Sequence, residues 1–335
     1  MLSHAGDKSA FMENSNDWGF PSDLRPRSED VGFDLDAALD AMVLVRAEIP
    51  GDAFTAPILG TERTGNGVVI QKDGLVLTIG YIITEASMIW LTTNRGTVVA
   101  GDPVAYDQPT GFGLIQPLGA LGVPALERGS AASCRVGDNV VVAGHGGRAH
   151  ALKASIFAKR EFAGYWEYVL DEALFSVPAH PQWGGAGLIG NNGRLLGIGS
   201  LLVEEKVDRE TVQGNMMVPV DLLEPILDDL LRLGRADRPP RPWLGMYTTE
   251  IDRHLVIAGL ADRAPAAQAR LQVGDIVMEV AGERVSGLAD LFRRIWQAGV
   301  AGAEVLLTIR RKGEVLRVAV RSADRNDFLR KQPLH

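Results

Sequence analysis

Between Gly60 and about Val220 the chain is a succession of short apolar runs separated by turn residues. Gly67–Ile70, Leu75–Thr78, Met88–Leu91, Thr97–Ala100, Phe112–Ile115, Asn139–Ala143, Trp166–Leu170, Gly187–Ile189 and Leu195–Ile198 each have the length of a strand. Many short strands at this spacing predict an all-β barrel or sandwich. Lys72-Asp73-Gly74 and Asn191-Asn192-Gly193 carry hairpin-turn chemistry, because Asn, Asp and Gly tolerate the positive φ such turns need. Upstream, Asp34–Ala47 sets Leu35, Ala38, Leu39, Met42 and Val43 at helical spacing and predicts one amphipathic helix. Downstream, Asp221–Leu233 predicts a second, burying Leu222, Leu223, Ile226, Leu227, Leu230 and Leu231. The charged, Pro-rich segment 234–242 then reads as an extended spacer. A smaller module follows from Trp243 to about Ser322, with strands near Leu255–Ile257, Ile276–Val280, Val305–Ile309 and Leu316–Val320 and helices around Pro265–Arg270 and Gly287–Gln297. Residues 1–35 are polar, and Phe11, Trp18 and Phe20 within them are candidates to dock on another subunit.

Composition narrows the classes. The 335 residues carry a net charge of −8, which argues against electrostatic binding of nucleic acid or an anionic membrane. A lone cysteine, Cys134, excludes an internal disulfide framework and Cys-rich zinc sites, and it reads as a small buried apolar residue. His145 and His150 lack companions at a metal-ligand spacing, so neither metal nor cofactor is expected. No run approaches the ~18 apolar residues of a membrane span. No basic-then-apolar leader precedes the polar N-terminus, so the expectation is cytoplasmic if residue 1 is the native start, and periplasmic if the chain is processed. Gly144–Ala149 fits a dinucleotide-binding GxGxx(G/A) pattern, but the downstream sequence lacks the strand and acid such a site needs. A glycine-rich turn between barrel strands is the expectation there.

Seven segments carry a family likeness. Asp73-Gly-Leu-Val-Leu-Thr78, Val136–Gly144, Asn191–Ile198 and Met216–Val220 occur in the order, and at the spacing, of the HtrA/DegP serine proteases. Ala264-Pro-Ala, Ala269-Arg-Leu and Val273-Gly-Asp-Ile276 resemble the helix and turn of the C-terminal PDZ domain in that family. The resemblance spans roughly Gly60 to Ser322. It implies a mainly β fold: a chymotrypsin/trypsin-like double β-barrel followed by an α+β PDZ domain. The divisions it suggests are an arm (1–35), a protease-fold domain (36–233), a linker (234–242), a PDZ domain (243–323) and a tail (324–335).

Serine proteolysis needs an imidazole to accept the hydroxyl proton and a carboxylate to orient that imidazole. The family positions for base, acid and nucleophile fall on Tyr81, Gly111 and Gly184. A phenol with pKa near 10 is no base at neutral pH, and glycine offers no side chain. The resemblance therefore implies a degenerate triad and a chain that is not an enzyme. It would act as a peptide-binding adaptor, a chaperone-like scaffold or a regulatory subunit of an active homologue or enzyme complex. The alternative is an active serine endopeptidase with a relocated triad, drawing on His145, His150 or His180 and on Ser130, Ser133, Ser176, Ser200 or Cys134. Gln182, Trp183, Gly184 and Gly185 form the remnant of the oxyanion loop. In the PDZ domain, Trp243, Leu244, Gly245 and Met246 would receive a terminal carboxylate, with Leu288, Leu291 and Phe292 lining the groove. The partners implied are polypeptide C-termini, unfolded or partner proteins, and further copies of the chain, a trimer among the options.

Overall fold

The computed structural model describes residues 18–207 and 210–330; Phe11 lies outside them. A short helix α1 (Leu35–Asp40) leads into β1 (Met42–Glu48), and α2 (Ala56–Leu59) lies between β1 and β2 (Glu62–Val69). With β3 (Val76–Ile79), β4 (Met88–Thr93), β5 (Val98–Tyr106) and β6 (Phe112–Pro117) the strands close a barrel in the order β1-β2-β3-β6-β5-β4. A second closed barrel uses β7 (Asn139–Ala143), β8 (Ala151–Gly164), β9 (Tyr168–Val177), β10 (Gly187–Ile189), β11 (Leu195–Val207) and β12 (Glu210–Pro219), in the order β10-β11-β12-β9-β8-β7. After α3 (Leu227–Leu233) and the linker comes a third sheet, β13 (Met246–Ile251), β14 (His254–Leu260), β15 (Ile276–Val280), β16 (Glu283–Arg284), β17 (Glu304–Arg311) and β18 (Glu314–Arg321). Helices α4 (Pro265–Gln268) and α5 (Leu288–Gln297) accompany it.

Two helix expectations are corrected. The segment 34–47 is helical only as far as Asp40, where Asp34 caps α1 by accepting from the Ala37 N–H. Met42–Glu48 is a strand paired on both edges, with β2 and with β4. Its β-branched Val43 and Val45 suit that setting, so Met42 and Val43, which mimic a helical stripe, belong to barrel alternation. Segment 221–233 is likewise not one helix: a 3-10 turn covers Val220–Leu222 and α3 starts only at Leu227. Pro225 lies between them and has no N–H to continue a helix. The long hairpin arms β8 and the N-terminal part of β12 escaped the apolar-run reading because they are mostly half-buried or polar.

Each barrel fills its own interior, with Leu77, Ile79, Ile89 and Phe112 in the first and Val142, Leu174, Leu188 and Met217 in the second. Cys134 is buried with the second group. Gly144–Ala149 forms the turn region between β7 and β8, which pair antiparallel, so no strand–helix–strand unit surrounds it. Trp18 and Phe20 pack on their own chain, edge-on to each other and against His150 and His180. The Phe20 N–H also donates to Ala149 O.

The barrels are joined at Asn66 on β2, only 1% exposed. Its backbone N–H donates to Gly184 O (2.7 Å), its Nδ2 to Gln182 O (2.8 Å), and its Oδ1 accepts the His145 N–H (2.8 Å). The Thr78 hydroxyl donates to Asn66 O (2.6 Å). Gly185 follows at φ +76°, and a Cβ there would collide with the same Asn66 carbonyl. Gly185→Ala is therefore expected to lower stability by about 1–3 kcal/mol from overpacking, increased by the cost of a positive φ, read as a reduced urea midpoint.

Candidate functional site

The cleft between the barrels is built from β3 with its following 3-10 turn (Gly80–Ile82), the loop before β6, and the loop before β10. Tyr81 sits on that turn, and its hydroxyl donates to Ser200 O (3.0 Å). The hydroxyl occupies the space beside Gly184: a Cβ built on Gly184 would lie 2.9 Å from it. Burial pushes the phenol pKa well above 10, with the Trp183 side chain opposing in part. Gly111 has φ +82°, and a Cβ there would meet the Tyr168 hydroxyl at 3.2 Å. That hydroxyl donates to Thr110 O (2.7 Å). Tyr81 and Gly184 thus come together, and Gly111 lies beside them in the chain's hydrogen-bond network, its carbonyl accepting the Gly80 N–H (2.7 Å) next to Tyr81.

The loop 182–185 does not offer a free row of donors. The Gln182 N–H donates to His180 Nδ1 (3.1 Å) and the Gly185 N–H to Gly199 O (2.8 Å). Of the remnant oxyanion loop, the Gln182 and Gly185 N–H groups are therefore engaged within the chain. Trp183 is half-buried.

The candidate bases are held as structural groups. His180 is fully buried. Its Nδ1 faces the Gln182 N–H, which leaves Nε2 to donate to His150 O (3.0 Å). His145 Nε2 lies 3.2 Å from Thr93 O. The hydroxyl candidates are elsewhere engaged: Ser130 donates to Asp221 and Ser133 to Ser130 O. Ser176 Oγ is buried without a partner. Among the described residues no hydrogen bond joins His145, His150 or His180 to these serines or to Cys134.

The C-terminal module presents a second site. The backbone N–H groups of Leu244, Gly245 and Met246 point at one place, and the Glu167 carboxylate occupies it, at 2.7 Å from the Gly245 nitrogen and 3.2 Å from the other two. Gly245 takes φ +73° there. Glu167 comes from the tip of the β8–β9 hairpin and was absent from the sequence reading. Burial pushes its carboxyl up to about 7, against the pull of the three N–H donors and Arg325. Trp243 packs with Phe54 and Phe328 rather than into a groove. Leu291 and Phe292 are fully buried in the core of the module, which corrects their placement as groove lining; Leu288 is half-buried beside them.

The comparisons with known proteins agree with this architecture. Residues 65–198 match the trypsin-like peptidase domain family and residues 242–321 the PDZ domain family. The chain is HtrA-like. It is 24% identical over 266 residues to serine endoprotease DegS of Haemophilus influenzae, covering 78% of this chain and 77% of that one. It is 26% identical over 278 residues to a probable periplasmic serine endoprotease DegP-like of Halomonas elongata, covering 78% and 56%. The HtrA-like chain thus spans just over half the length of that DegP-like relative. Among solved structures, the HtrA-type protease AlgW with tripeptide superposes with a TM-score of 0.51 at 16% identity, covering 89% of this chain and 97% of that one. A serine endoprotease from Yersinia pestis does so with 0.51 at 19%, covering 88% and 99%.

One expectation is corrected by these relatives, and a conditional one loses its first branch. The chain was expected not to be an enzyme, on the strength of Tyr81, Gly111 and Gly184; the relatives it matches are named serine endoproteases and point to a protease. Three side chains describe three positions, not the whole cleft. The cytoplasmic expectation finds no support either, since relatives are named periplasmic. Among the described residues no helix is long and apolar enough to cross a membrane.

His180 makes the cleft acid-sensitive. Burial pulls its pKa from 6.5 down to about 4, so the folded state holds the neutral ring, whose Nδ1 lone pair accepts the Gln182 N–H. The resulting stability is fully present above pH 6.5 and is lost as pH falls through about 4, worth about 3 kcal/mol. Urea unfolding across pH 4–7 is expected to show this slope, and His180→Asn to flatten it.

Proposed function

We propose that this HtrA-like chain recognises and processes polypeptides in the periplasm. The observation that carries recognition is the row of three N–H groups at Leu244, Gly245 and Met246, already shown to accommodate a carboxylate. Such a row at the start of the sheet's terminal strand β13 suits a polypeptide terminus added as a strand. A relative by fold, AlgW, is described with a tripeptide, which accords with that role. The compartment follows the periplasmic designation of the DegP-like relatives.

Peptide-bond cleavage is supported by the names of the relatives. With a phenol at position 81 and glycines at 111 and 184, cleavage calls for a nucleophile and a base from other positions in or near the cleft. Ser200, whose carbonyl already bonds Tyr81, is the serine nearest to that point in the hydrogen-bond network. Attack would also require an oxyanion to be met by backbone donors, and two of those in the loop 182–185, at Gln182 and Gly185, would have to leave their present acceptors to take part. A self-association role for the arm, in a trimer or another homo-oligomer, accompanies this reading.

The deciding experiment incubates the full chain with unfolded casein and with a fluorophosphonate probe. Under the protease reading, casein is cleaved and one hydroxyl is labelled, its position mapped by mass spectrometry. Intact casein and an unlabelled protein would sink cleavage and leave recognition alone.

A further inference from the structure

The carboxylate-receiving loop of the C-terminal module is occupied by the chain itself. Glu167 is 5% exposed, and its carboxylate takes the Leu244, Gly245 and Met246 N–H groups together. The contact continues along the strand: the Thr248 N–H donates to Tyr165 O (3.0 Å). Going forward along β13 from 245 to 248, the hairpin runs backward from 167 to 165. Tyr165–Glu167 therefore lies antiparallel beside β13, with one main-chain bond and a carboxylate at its end. This is the geometry of an extended peptide added to a sheet edge with its terminus captured, supplied here by a side chain.

Three further features hold the hairpin in place. Val169, just past the tip, is buried in the same hydrophobic cluster as Leu244, Met246 and Phe292. Arg293 on α5 bonds Glu161 on β8 (2.6 Å) and Asp171 on β9 (2.5 Å), clasping both arms. Trp166 stacks on Tyr168 at 5.6 Å, and Tyr165 meets Tyr247 edge-on at 6.0 Å. Glu167 itself adopts φ +61°, an uncommon backbone state for a residue with a side chain, sustained by the contacts around it.

We propose that the β8–β9 hairpin tip, Tyr165-Trp166-Glu167, is a built-in ligand that closes the C-terminal module to polypeptide termini until it is displaced. The competing partner is an extended peptide with a free terminal carboxylate, which must take the same three N–H groups and the Thr248 N–H. Only the identity of this competitor rests on the recognition role proposed above; the closure rests on Glu167. Because Glu167 belongs to the barrel domain, displacement by peptide would free the two domains from this contact, and binding at one site would be felt at the other.

The test compares the full chain with Glu167→Ala and with Arg293→Glu, whose surface ion pairs can be removed without opening a core. A fluorescein-labelled decapeptide ending in an apolar residue is titrated by anisotropy, as free acid and as C-terminal amide, alongside hydrogen exchange of the amides at 244–246. Removing an internal competitor restores the affinity otherwise reduced by the closed fraction. Glu167→Ala is expected to bind the free acid about ten-fold or more tightly than the native chain, the amide weakly, and to exchange the three amides faster without peptide. Arg293→Glu is expected to move the same way by less, and it carries the test if melting shows Glu167→Ala to be unfolded. Faster exchange without peptide binding in any chain would uphold the closure and sink the recognition role. Equal affinity and equal exchange in the native and variant chains would overturn the closure.

Discussion

A carboxylate carried out of water must find donors or give up its charge, and at Glu167 both act: burial raises its carboxyl to about 7 while three N–H donors hold it. Three consecutive backbone N–H groups converge where the chain passes Gly245 at positive φ, and the carboxylate sits on all three. Those donors belong to one domain and the carboxylate to another. The interaction therefore sets the distance and rotation between the second barrel and the C-terminal sheet. Arg293 across both hairpin arms and Val169 in the neighbouring core act on the same hairpin. The linker adds its own ties: Arg238 donates to both Asp107 oxygens, and the Arg241 guanidinium lies over Trp296 at 4.3 Å. A segment read from its prolines as a spacer is thus fastened at its middle and near its far end.

The barrels obey a parallel constraint. Asn66 is buried and polar, and each of its hydrogen-bonding groups is used: backbone N–H and Nδ2 to the 182–184 loop, Oδ1 to His145, carbonyl to Thr78. Full satisfaction is what makes a buried amide specify one arrangement. Here it holds the loop before β10 against β2, and Gly185 is required because the same carbonyl leaves no room for a Cβ. Tyr81 completes the packing by spanning from the 3-10 turn after β3 to Ser200 O on β11. The cleft is consequently a set of mutually bonded backbone segments, and a substrate would have to exchange with those bonds rather than enter an empty space.

The double-barrel fold was legible because apolar runs and turn residues leave a local signature. Asn139–Ala143 and Gly187–Ile189 were read at their observed boundaries, and the other core strands within a few residues at one end or the other. The failures share one cause. Met42 and Val43 fit helical spacing and strand alternation equally well, and only pairing with β2 and β4 decides between them. Strand β8 extends beyond the core as an arm whose residues alternate weakly, so periodicity had little to register there. Leu291 and Phe292 had the right character for a groove, yet helix α5 turns them inward to a fully buried core.

Site chemistry was legible where it depends on residues close in sequence, and not where it depends on long-range pairing. Tyr81 and Gly184 could be assigned from flanking motifs, and the structure brings the phenol against the glycine across 103 residues. The loop 243–246 could be recognised from its own residues, but its occupant could not: Glu167 lies 78 residues before Gly245. The one local hint was the run Tyr165-Trp166-Glu167-Tyr168, in which an acid interrupts three aromatics. An exposed hairpin tip has no reason to concentrate aromatic area, because apolar surface left in water gains nothing. Aromatics flanking one acid instead describe a segment that packs its rings, Tyr168 buried and Tyr165 against Tyr247, while delivering its carboxylate to donors. That is the composition a ligand needs, and in this chain it is carried on a hairpin long enough to reach the neighbouring domain.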